Sequence, residues 1–311
     1  MDYVAAVLTR EFPNRHVASV TPARKGNHKH TVIVEFVDGH AVVVQLATDA
    51  DALHLETALA RAVGDRTTIP VPTVVTTGTI ADRGYAVVER AAGSELHEQF
   101  VELDDATQRE IAHTFGRGLA ELHGAFTLEG YGAVTANPVG TRVEFRADET
   151  RDWPRWFSSY VHDGIDALPA AFDSLRDSLV AAVEDATFPE NPLSTLYPWD
   201  LRPGNALVDD GSVSAVLDWG QPLAAVPGLG VAKVEHLVAD WYVSDGTLLR
   251  QAFRDGYETV RPYPPVEPIH RIAAVVRSAV DSNGEVTRPG YPERTGTRAV
   301  SFHRQRLESL L

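Results

Sequence analysis

The sequence predicts an α+β fold: a small antiparallel sheet carrying one helix over residues 1–90, then a larger, mainly helical part over 91–311. Three observations lead there. Between Val17 and Leu46 two apolar runs of strand character meet at Asp38-Gly39, a dipeptide suited to the positive φ of a tight hairpin. One stretch of helical spacing follows, and then two more strand-like runs. Beyond Gly93 long amphipathic stretches dominate.

In chain order, residues 1–12 read as a short helix, and "TVIVEFVDGHAVVVQLA" as a hairpin. In "DADALHLETALARAV", Leu53, Leu55, Ala58, Leu59 and Ala62 can share one helical face. "IPVPTVVTTGTI" and "GYAVVERAAG" are strands punctuated by Pro and Gly. A short connection near Arg90–Gly93 is the expected domain junction, dividing 1–90 from 91–311. "ATQREIAHTFGRGLAELHGAF", "RDWPRWFSSYVHDGIDAL" and "AAFDSLRDSLVAAVEDA" are helices. "NALVDDGSVSAVLDW" is a second hairpin, turning at Asp210-Gly211, and helices resume from Gly230. The aromatic stripe Trp153, Trp156, Tyr160 suits a core face or the lining of a pocket.

Composition narrows the function. The 311 residues are 44% hydrophobic, enough for a packed core, and no run approaches the ~18 apolar residues of a membrane span. There is no cysteine, so neither a disulfide scaffold nor a thiolate metal site is available. A net charge of −15 disfavours nucleic acid and anionic membranes as partners. The first residues do not read as an export signal, and a cytoplasmic protein is expected. Only three of the 28 basic residues are lysines: Lys25, Lys29 and Lys233. Acidic, Lys-poor, Cys-free composition resembles haloarchaeal, halophilic proteins, and a GC-rich genome would also favour Arg over Lys.

The chemistry concentrates in "LYPWDLRPGNALV", residues 196–208. Asp200 precedes Asn205 by five positions, with Pro203-Gly204 between them. Asn205 opens the second hairpin, and Asp218 lies at its far end, so the returning strand brings these oxygens to one cleft. Such a set suits phosphoryl transfer. One carboxylate orients the acceptor hydroxyl, while an amide oxygen and a second carboxylate hold Mg²⁺ against nucleotide phosphates.

These residues resemble the catalytic and metal-binding segment of the aminoglycoside phosphotransferase and choline kinase-like family, which has a bilobal protein kinase-like fold. That family reads His-Gly-Asp, Pro-x-Asn, then a hairpin ending in Asp-Trp or Asp-Phe; Asp200, Pro203, Asn205, Asp218 and Trp219 match. "YAVVERAAGSEL", "GRGLAELHGAF" and "LETALARAV…IPVPTVVTTG" agree in order, and the resemblance runs from about residue 18 to 245. It implies a phosphotransferase moving the γ-phosphate of ATP or GTP to a hydroxyl of a small molecule: an aminoglycoside, a sugar or an amino alcohol. It implies Asp200 as base and Asn205 and Asp218 as Mg²⁺ ligands. Backbone at Glu89 and Ala91 would meet the nucleotide base, Gly26-Asn27 would cover the phosphates, and Glu56 would be the acid of the small-lobe helix. Each has a blander reading. Asn205 suits a turn cap, Glu56 a solvated helix face, and Gly26 a turn leading into a strand. Oligomeric state is not legible.

Two departures stand out. Where the family carries Lys or Arg at the end of the third strand, this chain has Gln45, which is uncharged. A charged hydrogen bond contributes ~1.5–3 kcal/mol against ~1 for a neutral one, so weaker nucleotide binding, a slower reaction or a substitute cation is expected, with Arg24, Lys25 and Lys29 as candidate cations. Where the family has His-Gly, this chain has Pro198-Trp199; Pro stiffens the loop, and Trp199 fills its support or narrows the acceptor pocket. Arg202 suits a phosphate contact or a plain surface position. These departures keep a second reading open: a pseudokinase, binding nucleotide or ligand without efficient transfer.

Overall fold

The computed structural model describes residues 2–23, 29–139, 142–147, 149–189, 192–243, 245–281, 283–288 and 294–311. Gly26 and Asn27 lie outside them, as do Arg24 and Lys25.

The N-terminal region follows the sequence pattern closely. Helix α1 (Tyr3–Glu11) starts at Asp2, whose side chain accepts from the Ala5 N–H. Then come β1 (Val17–Pro22), β2 (His30–Phe36), β3 (Ala41–Ala47), α2 (Ala50–Arg66), β4 (Val74–Ile80) and β5 (Arg83–Glu89). The five strands form one antiparallel sheet in the order β1-β2-β3-β5-β4. Gly39 takes φ +86° at the predicted hairpin turn, a conformation open to Gly at little cost. Alternation sends Val32, Val34, Val42, Val44 and Leu46 into a core shared with Val7 and Leu8 of α1. Their β3 neighbours Val43 and Gln45 are half-buried. Asp49 caps α2 by accepting from the Ala52 N–H. The inner face of α2 turns the other way: Leu59, Ala62 and Val63 join the larger C-terminal core.

The C-terminal region is more mixed than its sequence suggested. It opens with β6 (Ser94–Glu95), α3 (Leu96–Gln99) and the long α4 (Asp105–Ala125), then β7 (Thr127–Leu128), β8 (Gly132–Val139) and β9 (Arg142–Ala147). Helices α5 (Trp153–Ala167) and α6 (Asp173–Glu184) precede β10 (Ser194–Tyr197), β11 (Ala206–Asp209), β12 (Ser212–Val216) and β13 (Leu223–Ala225). Last come α7 (Pro227–Glu235), α8 (Thr247–Glu258), α9 (Pro268–Val276), β14 (Thr287–Arg288), β15 (Arg294–Thr295) and α10 (Thr297–Glu308). A five-stranded sheet in the order β7-β10-β13-β8-β9 crosses this region, with the β8–β9 pair lying where no strand was expected from the sequence. Its strands β7, β10 and β13 are two, four and three residues long, too short to register as a period. Among the described residues no helix is long and apolar enough to cross a membrane.

Helices α4 and α8 touch backbone to backbone. A Cβ on Gly116 would run into the Phe253 carbonyl, and one on Gly256 into the His113 carbonyl. Trp153, Trp156 and Tyr160 are at most 7% exposed and belong to a second core with Tyr197, so the stripe is core.

Candidate active site

The loop after β10 is built to hold one carboxylate. Tyr197 is fully buried and Pro198 is buried, so the chain leaves the core already stiffened. Asp200 follows with both oxygens engaged. Its Oδ1 lies 2.7 Å from Arg202 Nε, a charge contact without hydrogen-bond alignment. Asn205 Nδ2 donates to its Oδ2 at 3.0 Å and to its backbone carbonyl at 3.1 Å. A 3₁₀ turn, Pro203–Asn205, closes with Asn205 N–H donating to Arg202 O at 3.0 Å. Gly204 leaves room for the Arg202 side chain, which a Cβ there would meet at 2.9 Å. The Arg202 guanidinium sits over the Trp241 ring, 5.6 Å from its centroid, so it is not the plain surface arginine the sequence also allowed.

The hairpin performs the predicted juxtaposition. Strands β11 and β12 pair antiparallel through a turn with Asp210 at φ +46° and Gly211 at φ +74°. The ladder extends past β12, where the Leu217 N–H donates to Asn205 O at 2.7 Å. Asp218 is therefore one residue from a direct partner of Asn205. It does not end a strand, as the sequence suggested; it stands two residues beyond β12 at φ +60°, a conformation costly for any residue with a Cβ. Trp219 is buried beside it and donates to Val216 O.

From the N-terminal region, Lys29 and Glu56 reach the same place. Lys29 Nζ lies 2.6 and 2.8 Å from the two Glu56 oxygens and 3.2 Å from Asp218 Oδ1. Glu56 is thus no solvated helix residue; its side chain is 12% exposed. Burial alone would lower Lys29, but the Glu56 and Asp218 carboxylates outweigh it and hold the ammonium above its ordinary pKa. Burial pushes Glu56 up, against the pull of Lys29. Gln45, by contrast, is half-buried and neutral. Leu59, Trp199, Asp200, Asp218 and Gly220 line one cleft.

At the predicted base-binding edge, Glu89 spends its N–H on Thr73 O at 2.8 Å and its carboxylate on His40 Nε2 at 2.7 Å. The Ala91 N–H has no partner among the described residues. The connection that follows is strapped to the β11–β12 hairpin. Ser214 Oγ donates to Ala92 O at 2.8 Å, and a Cβ on Gly93, at φ +103°, would strike Val208 O.

Sequence reasoning missed the environment of Trp199. Its ring lies 4.8 Å from Lys233 Nζ and 5.3 Å from the Arg277 guanidinium, and Arg277 also covers Tyr160 at 4.6 Å. The Arg277 guanidinium thus covers both aromatic faces, which otherwise form the kind of cage that attracts a cationic ligand. Lys233, inside the apolar run "GVAKVEHLV", was the available signal, because a lysine there must be buried.

Could the site hold a divalent ion? Among the described residues no group of three His, Cys, Asp or Glu could do so. The pair present is Asp218, whose side chain is 51% exposed, and Asn205, whose amide nitrogen is spent on Asp200 so that its oxygen remains the free acceptor. Two hard oxygens fit Mg²⁺, which keeps several waters and takes the rest of its shell from substrate phosphates.

Fold and sequence together define the class of protein: a kinase-like phosphotransferase. The chain belongs to the phosphotransferase enzyme family, whose model matches residues 19–269. No curated protein sequence matches it. Among solved structures it is similar to aminoglycoside phosphotransferase APH(4)-Ia, at 17% identity and TM-score 0.66, covering 99% of this chain and 97% of that one. A thermostable mutant of that enzyme was solved with AMP-PNP and hygromycin B. The chain is also similar to a protein assigned as a fructosamine-3-kinase from Thermobifida fusca YX-ER1, at 22% identity and TM-score 0.61, covering 99% of each chain. At these identities the likeness establishes the protein kinase-like fold.

Proposed function

We propose that this protein transfers the γ-phosphate of ATP or GTP to a hydroxyl of a small molecule, with Asp200 as the base. The observation that carries this reading is the double anchoring of Asp200 by Arg202 and Asn205, on a cleft also lined by Asp218, which meets Lys29 of the Lys29–Glu56 pair.

On this reading residues 1–90 bind the nucleotide and 91–311 supply the catalytic and acceptor side. The Ala91 N–H and the Glu89 carbonyl take the base, and Gly26-Asn27 cover the phosphates. The acceptor hydroxyl enters beside Asp200. As its oxygen bonds to the γ-phosphorus, the bond from that phosphorus to the bridging β-oxygen breaks. The hydroxyl proton passes to the Asp200 carboxylate, and a nucleoside diphosphate leaves. In such loose transition states positioning outweighs proton abstraction, and Arg202 and Asn205 fix where the carboxylate points. Bound at Asn205 and Asp218, Mg²⁺ would neutralise charge on the phosphates. Arg202 stays on Asp200 rather than on a phosphate, because its guanidinium is already committed between that carboxylate and Trp241.

The acceptor class is drawn from the family: aminoglycosides, fructosamine-like sugars or amino alcohols. Arg277, which covers the faces of Trp199 and Tyr160, argues against an aromatic cage for a quaternary ammonium acceptor. A second reading rests on Gln45 and on Trp199 at the cleft: a pseudokinase that binds nucleotide without efficient transfer. Asp200→Ala separates the two. The enzyme loses transfer while keeping nucleotide affinity; the binding module has no transfer to lose.

A further inference from the structure

We propose that Lys29 supplies the cation that grips the nucleotide's inner phosphates, a role relocated from the end of β3 to the start of β2, with Glu56 as its anchor. The inference rests on the nucleotide-binding reading above and identifies which residue makes that site work without a charged side chain at position 45.

The register makes the relocation possible. Thr31 of β2 is the direct cross-strand partner of Gln45 of β3. Lys29 stands two residues before Thr31, beside the same end of β3. An ammonium on a four-carbon stem launched there reaches the volume that a cation at position 45 would occupy. It arrives: Nζ lies within 2.6 and 2.8 Å of the two Glu56 oxygens, and its side chain is 19% exposed. The same Nζ is 3.2 Å from Asp218 Oδ1, so it stands between the helix acid and the carboxylate proposed for Mg²⁺.

The three contacts are not equivalent. The Glu56 pair is short, bidentate and mostly buried, whereas the Asp218 contact is the longest and goes to a carboxylate that is half-exposed. An incoming phosphate oxygen takes the Asp218 contact, frees that carboxylate for Mg²⁺, and leaves Glu56 holding Lys29 in place. No bond is made or broken in this exchange, and Lys29 stays protonated throughout. Lys233 does not compete for the role, because it is 3% exposed and bonded to Arg277 O and Ser278 Oγ.

The test compares binding of Mg²⁺–AMP-PNP and of adenosine, which lacks phosphates, by calorimetry on the full chain. Four proteins are needed: wild type, Lys29→Ala, Gln45→Lys, and the double variant K29A/Q45K. Replacing a charged contact by none should weaken AMP-PNP about 10–100-fold and leave adenosine unchanged. The double variant, which moves the charge to β3, should recover most of the loss. Melting temperatures of the ligand-free proteins report folding. If Lys29→Ala does not fold with Glu56 left unpaired, K29Q/E56Q removes both charges and serves in its place. Unchanged AMP-PNP affinity in Lys29→Ala overturns the proposal, as does an equal loss for adenosine or a failure of Q45K to rescue. Wild type that binds neither these probes nor Mg²⁺–GMP-PNP and guanosine, used in the same way, overturns the nucleotide reading itself and the proposal with it.

Discussion

Replacing Lys233 by Met should remove a specific slope from the pH dependence of stability. The Lys233 amine is 3% exposed and meets no carboxylate among the described residues. It donates to Arg277 O at 2.9 Å and to Ser278 Oγ at 2.7 Å, and Ser278 Oγ in turn donates to Ala274 O. Two acceptors suit the two N–H bonds of a neutral amine. Burial lowers its pKa from 10.5 to about 7; Asp200 opposes the shift, and Arg277 and Arg202 add to it. The sign follows from proton counting. Between pH 7 and 10.5 the unfolded chain keeps a proton that the folded chain has released, so stability rises with pH. From these two pKa values the penalty is about 4 kcal/mol at pH 7 and about 2 kcal/mol at pH 9. Urea unfolding at the two pH values measures it. Wild type should gain about 2 kcal/mol more than Lys233→Met over this interval, whatever the variant's baseline. Parallel pH curves would refute the reasoning, because they would mean that the buried amine keeps its charge.

Two further outcomes follow from burial and from close backbone contact. His123 and His270 are lowered to about 3 and about 4, chiefly by burial and secondarily by Arg261 and Arg271, so they stay neutral in the fold while the unfolded chain protonates near 6.5. Stability therefore falls as pH drops from 6.5 to 5, by about 3 kcal/mol for the pair; His270→Gln should lose about half as much in the same urea titration, and an equal loss would contradict the assignment. Gly116→Ala drives a methyl into the Phe253 carbonyl, and overpacking of ~1–3 kcal/mol exceeds the gain of up to ~1 kcal/mol from helix propensity; its melting temperature should fall by a few degrees, and a rise would show that α4 and α8 can part freely.

Much of the fold was legible because its signals are local. Asp38-Gly39 and Asp210-Gly211 demand positive φ within four residues of alternating strand, and both turn as expected. The spacing of Leu59 and Ala62 gave the inner face of α2, though not that it would face the C-terminal core. What escaped depends on distant partners. Strand β10 is four residues long and is a strand only because β7 and β13 flank it from far away in sequence. The site divides the same way. Asp200, Asn205 and Asp218 are joined by one short hairpin and could be read from spacing. The Lys29–Asp218 contact spans 189 residues, and the sequence left Lys29 as one of three candidates. The Trp199–Lys233–Arg277 cluster likewise assembles from three distant segments.

The most direct test of the catalytic reading is radiolabelled γ-phosphate transfer from ATP and GTP to a panel of aminoglycosides, fructosamines and amino alcohols, comparing wild type with Asp200→Ala. AMP-PNP melting shifts with and without Mg²⁺ report binding in parallel, since ligand at 100 times its dissociation constant stabilises by ~2.7 kcal/mol. The account predicts transfer by wild type, a fall of at least ~10²-fold in Asp200→Ala, and the same Mg²⁺-dependent shift in both proteins. A Mg²⁺-dependent shift in both with no transfer by wild type to any acceptor would contradict the enzyme and leave the pseudokinase.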